Sequence, residues 1–316
     1  MPHILICFIG SDKLVYNVNE LKKALEKTKI TFVINEPMSR HTTFKIGGSA
    51  DVFAAVADAQ QLSELKRLCD TYSVPLTIVG KGSNLLVSDK GVDGVVATTE
   101  PMNKITVEGC RITAGAGATL AGLCAAAASA GLTGLEFACG IPGSVGGAVY
   151  MNAGAYGGEI KDVVESVTAL MPDGELVTLE NSQLGLSYRE SVFSHSGAIV
   201  ISAVFKLSPG SSEKIREDMT DILFRRKEKQ PLEYPSAGST FKRPQGNYAG
   251  ALIEQCGLKG KSVGGATVSR KHAGFVVNTG KAKASDVLAL IKKIQNTVLE
   301  ETGVMLEPEV LFIGRE

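Results

Sequence analysis

Residues 140–157 read GIPGSVGGAVYMNAGAYG. The stretch holds six glycines, three alanines and no charged residue. Linkers are polar, whereas Ile141, Val145, Val149, Tyr150 and Met151 interleave with these glycines, so it does not read as a linker. A Walker phosphate loop is excluded because G-K-[ST] is missing. The lack of charge points to burial. Glycines in a buried irregular segment let backbone approach a ligand and donate amide hydrogen bonds to it. A flat heterocycle with several acceptors suits such a wall. From the stretch alone, a tightly packed structural corner reads the same way.

The rest of the chain gives this stretch a soluble setting. Its 316 residues suggest about two domains. A 44% hydrophobic content with 21% charged residues is ordinary for a globular chain with sizeable cores. Lys+Arg and Asp+Glu balance at 33 each, so no net field draws nucleic acid or anionic membrane. No apolar run reaches the roughly 18 residues of a membrane helix. The N-terminal ILICFIG (4–10) lacks a preceding basic residue and a cleavage site. It reads as a short strand or an extension. Cys7, Cys69, Cys110, Cys124, Cys139 and Cys256 form no C-x-x-C and read as reduced thiols of a cytoplasmic protein. His3, His41, His195 and His272 are scattered, and no metal site is expected.

Periodicity predicts a short helix over 19–27, a strand over 50–57 and a helix capped by Asp58 with Leu62, Leu65, Leu68 and Cys69 inward. Short strands follow at 76–80, 85–88, 94–98, 104–109 and 111–118. Thr119 caps a small-residue helix that Gly131 stops. A hairpin turns at Pro172-Asp173-Gly174, a strand covers 198–207, and a helix of about 17 residues follows SPGSS (208–212). The last helix spans 285–301 with Gly303 after it, and 304–314 closes the chain as a strand. Strict βαβ alternation is absent, so the fold class reads as α+β.

Four further motifs carry chemistry. GKGSNLL (80–86) follows a strand. Gly80 and Gly82 allow close backbone approach to a pyrophosphate, Ser83 and Asn84 add donors, and Lys81 adds charge. A Rossmann loop needs a third glycine and then a helix, whereas position 85 is Leu85 and a strand follows, so that reading fails. A plain hairpin turn fits the motif equally well. SYRES (187–191) sets Arg189 among polar and aromatic residues. PSAGSTFKRP (235–244) puts Ser239 between Gly238 and Thr240, without the G-x-S-x-G of a hydrolase elbow. LEPEV (306–310) offers Glu307 and Glu309.

Taken in order, FKIGG-A, GKGSNLL, GLEFACGIPGSVGGAVYMNAGAYGGE, L-YR-S, RR-KQP, PSAGSTFKRP, AG-LIE, LKG, HAGFVVN and LEPEV-FIG resemble the bacterial UDP-N-acetylenolpyruvoylglucosamine reductases, from about Asn19 to Gly314. The resemblance implies an FAD-binding module of the vanillyl-alcohol oxidase (PCMH) type in two subdomains, plus a C-terminal α+β substrate domain. The implied division is an extension over 1–18, a first subdomain over 19–73 and 304–316, a second over 74–210, and the substrate domain over 211–303.

It further implies reduction of UDP-N-acetylglucosamine enolpyruvate to UDP-N-acetylmuramate in peptidoglycan precursor synthesis. NADPH reduces FAD and leaves. Flavin N5 then gives hydride to the vinyl carbon, and a proton reaches the alpha carbon. By motif, Ser239 would donate that proton, while Arg189 and Glu309 surround the substrate carboxylate. Beside a developing anion Glu309 would need a raised pKa, or a bridging cation. Position 311 is Leu311, where many relatives carry a basic residue, which leaves such a cation without support.

FAD contacts are implied for Gly80, Lys81, Gly82, Ser83, Asn84 and Leu85, and for Gly115. They are implied also for Ile141, Pro142, Gly143, Ser144, Gly146, Gly147 and Ala148, then for Asn152, Gly154 and Ala155, and for Arg226. Lys229, Lys242, Arg243 and Lys259 would reach the UDP end. No histidine or cysteine in GKGSN offers a tether, so FAD is expected to be noncovalent. No obligatory protein partner is implied. A flavin oxidase or dehydrogenase with another substrate, and a non-catalytic UDP-sugar-binding protein, remain open readings.

Overall fold

In the computed structural model, residues 17–316 are described. The stretch ILICFIG, with His3 and Cys7, lies outside the described residues. Asn17 opens the described chain by capping the helix Val18–Leu25, its side chain accepting from the Glu20 amide.

The first sheet takes the strands in the order Thr31–Pro37, Ser49–Ala55, Val92–Thr98 and Leu76–Val79. The first pair is antiparallel and the others are parallel. The helix Ala59–Thr71 crosses between parallel strands, with Asp58 accepting from the Gln61 amide at its N-terminus. Leu62, Leu65, Leu68 and Cys69 bury its apolar face against Val52, Ala54, Val95 and Ala97. The 3–4 spacing thus sets the face, and the inner parallel strands Ser49–Ala55 and Val92–Thr98 read as largely apolar runs because they are mostly buried.

A second, antiparallel sheet runs Leu176–Glu180, Val164–Leu170, Ile199–Lys206, Arg111–Gly115 and Ile105–Glu108. The helix Leu120–Ser129, capped by Thr119, packs on it through Leu120, Leu123, Cys124 and Ala127. The change from first to second sheet falls between Thr98 and Ile105. The long helix Ser212–Lys229 buries Ile222 in the core of this second sheet, with Met219 packed beside it. It therefore packs on the second sheet.

The third unit is a small sheet of Ser262–Val263, Ala266–Val268 and Val276–Asn278, flanked by the helices Ala249–Gln255 and Ala284–Thr302. Its core takes in Phe44, Ile46 and Leu86 from the first half of the chain. Burial of Phe44, 1% exposed, contributes about 1.5–3 kcal/mol to joining the units. Of the closing segment 304–314, only Leu311–Ile313 is strand, pairing in parallel with Leu85–Val87. Pro308 has no amide to give a ladder and makes only an isolated bridge to Phe241.

Candidate active site

The glycine-rich stretch contains a helix that sequence reading did not foresee, Val145–Tyr150, capped by Ser144, whose hydroxyl accepts from the Gly147 amide at 3.4 Å. Two glycines in six residues hide the helical period. The helix is seated on the loop that precedes the helix Leu120–Ser129, since the Val145 and Gly146 amides donate to the Ala118 and Ala116 carbonyls, each at 2.8 Å. A Cβ on Gly146 would lie 3.0 Å from the Ala116 Cβ, so this glycine is a packing contact. Gly147 differs: it is exposed, and a Cβ there would meet only the Ser144 hydroxyl at 3.4 Å. Ala148 is buried beneath it, Ile141 packs at the edge of the same core, and Pro142 is exposed.

The GKGSN loop docks against this helix start. A Cβ on Gly80 would fall 2.0 Å from the Ser144 Oγ, and one on Gly143 would lie 3.9 Å from the Ser83 Oγ. Gly82 has φ +59°, and a Cβ there would stand 2.1 Å from the His41 carbonyl, so only glycine fits. Among the described residues, the amides of Lys81, Gly82, Ser83 and Asn84 have no protein acceptor. Four successive unspent amides are what an anion cradle requires. Leu85 leaves the loop as strand, as the failed Rossmann test required. Lys81 turns to Glu100 at 3.0 Å. Gly115 closes a strand over Met102, whose carbonyl would stand 2.2 Å from a Cβ.

Arg226 lies against the start of the glycine stretch, its Cδ 2.9 Å from where a Gly140 Cβ would be. Burial lowers its pKa, and among the described residues no carboxylate pairs with it. A desolvated guanidinium without a partner calls for an anion. With the free amides of the GKGSN loop and the open face of Gly147, these residues fit the pyrophosphate and ring of a flavin dinucleotide. Lys229 is exposed one turn further along the same helix.

Arg189 is brought to this region by bonds from the glycine stretch. Asn152, wholly buried, donates to the Ser187 carbonyl at 2.8 Å and to Glu159 at 3.0 Å, and accepts from the Lys161 amide. Its amide protons are thus committed to ordering the loop that carries Arg189. Ser191 adds a bond to the Tyr150 carbonyl at 2.7 Å. Arg189 itself has φ +58°, a left-handed conformation that costs of order 1 kcal/mol or more in a non-glycine residue and persists only where its surroundings enforce it. Its Nε donates to Glu309 Oε1 at 2.7 Å and Nη2 to the Gly154 carbonyl at 3.3 Å. Gly154 and Ala155 form the first side of a tight hairpin with Gly158–Glu159.

Glu309 arrives from the other end of the chain. Its amide donates to the Thr240 carbonyl at 2.8 Å, which ties it to the residue after Ser239. Burial raises the Glu309 pKa, and the Arg189 charge and hydrogen bond offset this only in part. Ser239 is exposed and follows Gly238 at φ +77°.

Tyr188, which the sequence reading passed over, lies under the Arg189 guanidinium at 4.9 Å and accepts from the Arg243 amide at 3.0 Å. Its signal was present in SYRES, an aromatic residue next to the arginine. Arg243 covers Tyr248 at 4.1 Å. Lys242 pairs with Glu307 at 3.4 Å and Lys259 with Glu254 at 2.5 Å, both within the C-terminal unit. Two open clefts of about 630 and 570 Å³ lie elsewhere, one at Gln60 and Gly174, the other at Lys45 and Asp89. Among the described residues, no helix is long and apolar enough to cross a membrane. No cluster of three or more potential metal ligands forms among them either.

A two-subdomain module with an anion cradle, joined to a smaller α+β unit, is the architecture of an FAD-binding protein. Residues 50–180 match the FAD binding domain family. Residues 230–313 match the C-terminal domain of UDP-N-acetylenolpyruvoylglucosamine reductase. The reductase of that name from Agathobacter rectalis is 54% identical, over 89% of this chain and 93% of its own. The one from Caldanaerobacter subterraneus is 50% identical, over 95% and 98%. The solved reductase of Thermus caldophilus superposes with a TM-score of 0.77 at 37% identity, covering 90% of this chain and 99% of that one. The chain belongs to the UDP-N-acetylenolpyruvoylglucosamine reductase family.

Proposed function

We propose that this chain reduces UDP-N-acetylglucosamine enolpyruvate to UDP-N-acetylmuramate at the expense of NADPH, and that Arg189, Ser239 and Glu309 act directly on the substrate. The observation that carries this reading is the joining of three distant motifs. Arg189 bonds the Glu309 side chain at 2.7 Å, while the Glu309 amide bonds the residue next to Ser239. Bound noncovalently, FAD would supply the hydride chemistry that links NADPH to the vinyl carbon of the substrate.

Residues 80–84 and Arg226 would hold the cofactor phosphates through amide and guanidinium donors. Gly147 would leave room for its ring system, with Lys229 and Arg243 toward the UDP end. Arg189 Nη1 has no partner among the described residues and is available to the substrate carboxylate. The raised Glu309 pKa makes its protonated form accessible. A neutral carboxyl can donate a hydrogen bond to an oxygen that gains charge, where a carboxylate would repel it. The Ser239 hydroxyl would then protonate the alpha carbon. Serine is a weak acid, but a substrate enolate is a strong base, and preorganised donors stabilise the charge until the proton arrives. Such a reaction would belong to the cytoplasmic steps of peptidoglycan precursor synthesis.

Colour tests the reading. The purified protein should be yellow, bleach with NADPH under nitrogen, and regain its colour on addition of UDP-N-acetylglucosamine enolpyruvate. Bleaching that persists with that substrate sinks it.

A further inference from the structure

We propose that Asn84 is a positioning residue that fixes Glu309 relative to the phosphate cradle, so that substrate reduction depends on it beyond any part it has in holding FAD. This rests on the function proposed above. The GKGSN motif suggests that the Asn84 side chain faces a phosphate. The structure turns it the other way. Its Nδ2 donates to the Glu309 carbonyl at 3.0 Å and reaches Met151 Sδ at 3.9 Å. Its own carbonyl accepts from the Leu311 amide at 2.9 Å. Both amide protons are therefore directed at protein atoms, and the residue grips the chain on either side of position 310.

The Glu309 peptide is then held from two directions. Its amide is fixed to Thr240, on the Ser239 segment, and its carbonyl to Asn84, on the cradle. No regular ladder does this work, because the strand begins only at Leu311 and Pro308 has no amide to offer. Without the Asn84 amide, the Glu309 carbonyl loses its only side-chain donor among the described residues, and the carboxyl is free to swing from Arg189. The chemistry tolerates little of this, since a misplacement of about 1 Å can cost on the order of a hundredfold in rate. Met151 belongs to the glycine-rich stretch, so one side chain of the GKGSN motif touches two of the other motifs that build the site.

Asn84→Asp keeps the shape but replaces the donor with an acceptor facing a carbonyl, and Asn84→Ala removes the side chain. Both are assayed as FAD-loaded enzyme, with the two half-reactions followed separately by anaerobic stopped flow. Flavin content and thermal midpoint are recorded alongside. In both variants the substrate half-reaction should slow at least about tenfold more than flavin reduction by NADPH. Its pH profile should also shift toward lower pH, as Glu309 leaves its buried position. Equal slowing of both halves, an unchanged substrate half, or an unchanged pH profile overturns the positioning role. Failure of the function itself shows in the wild-type protein, which would then stay bleached in the presence of substrate, and the role falls with it.

Discussion

Arg189 and Glu309 stand 120 residues apart in the chain and 2.7 Å apart in space, from Nε to Oε1. The carboxyl is nonetheless raised above its ordinary 4.5, because burial outweighs the guanidinium beside it. A raised folded pKa means that the folded state binds the proton more tightly than the unfolded chain. The stability this contributes is present below the unfolded pKa and is lost as pH rises through the folded one. Glu309→Gln removes the titration. The thermal midpoint of the variant relative to wild type should therefore climb as pH goes from 4 to 8. A difference that is flat with pH, or that falls, would show an unperturbed or depressed carboxyl.

Ser239→Ala separates proton delivery from cofactor handling. The side chain is exposed and the preceding Gly238 has open space around it, so the fold has little to lose. Flavin reduction by NADPH should stay within about twofold of wild type, whereas the substrate half-reaction should drop by about 10²–10⁴-fold, the usual worth of a positioned acid. Equal loss in both halves would assign Ser239 to cofactor or fold.

Neighbouring glycines in one helix should fail in different ways. At Gly146 an added Cβ stands 3.0 Å from Ala116, and valine there should lower the thermal midpoint even of the FAD-free protein. Gly147 is exposed, with only the Ser144 hydroxyl at ordinary contact distance from an added Cβ, and valine there should leave that midpoint unchanged while FAD is lost during gel filtration. Retention of FAD by Gly147→Val would remove this face from the cofactor site.

Those two glycines also mark how far the sequence could be read. Buried elements with a clear period or cap were legible: the Asp58, Thr119 and Gly303 boundaries and the hairpin at Gly174 all lie where residue chemistry puts them. The helix Val145–Tyr150 was hidden because glycine has low helix propensity and no side chain to show a face. Sheet membership was hidden too. Strands Leu76–Val79 and Val92–Thr98 look like any short apolar run until their partners are known. At the site, motifs named the residues but not what each one touches. Asn152 and Asn84 both sit in glycine-rich motifs that suggest ligand contact, yet both spend their amide protons on the protein. Which way a side chain turns depends on chain segments that meet only in the folded state, and no local pattern records that.

Asp89 makes the clearest case of such a meeting outside the site. It lies just past the strand Leu85–Val87, yet its carboxylate accepts from the Ala284 amide at 2.7 Å, and from the Ser285 amide and hydroxyl at 3.0 and 2.9 Å. It thus caps the last long helix from another unit. Burial alone would raise its pKa. The bonds from Ser285 and Ala284, with the nearby Lys283 charge, outweigh that and leave it below 3.8. A depressed folded pKa gives stability that is present above the unfolded value and is lost as pH falls through the folded one. Asp89→Ala should therefore cost roughly 1 kcal/mol at pH 7, the usual loss for an N-terminal cap. The gap from wild type should narrow as pH is brought from 5 toward 3. Urea unfolding at several pH values measures both. A cost that is the same at every pH would mean that the cap works through shape, without its charge.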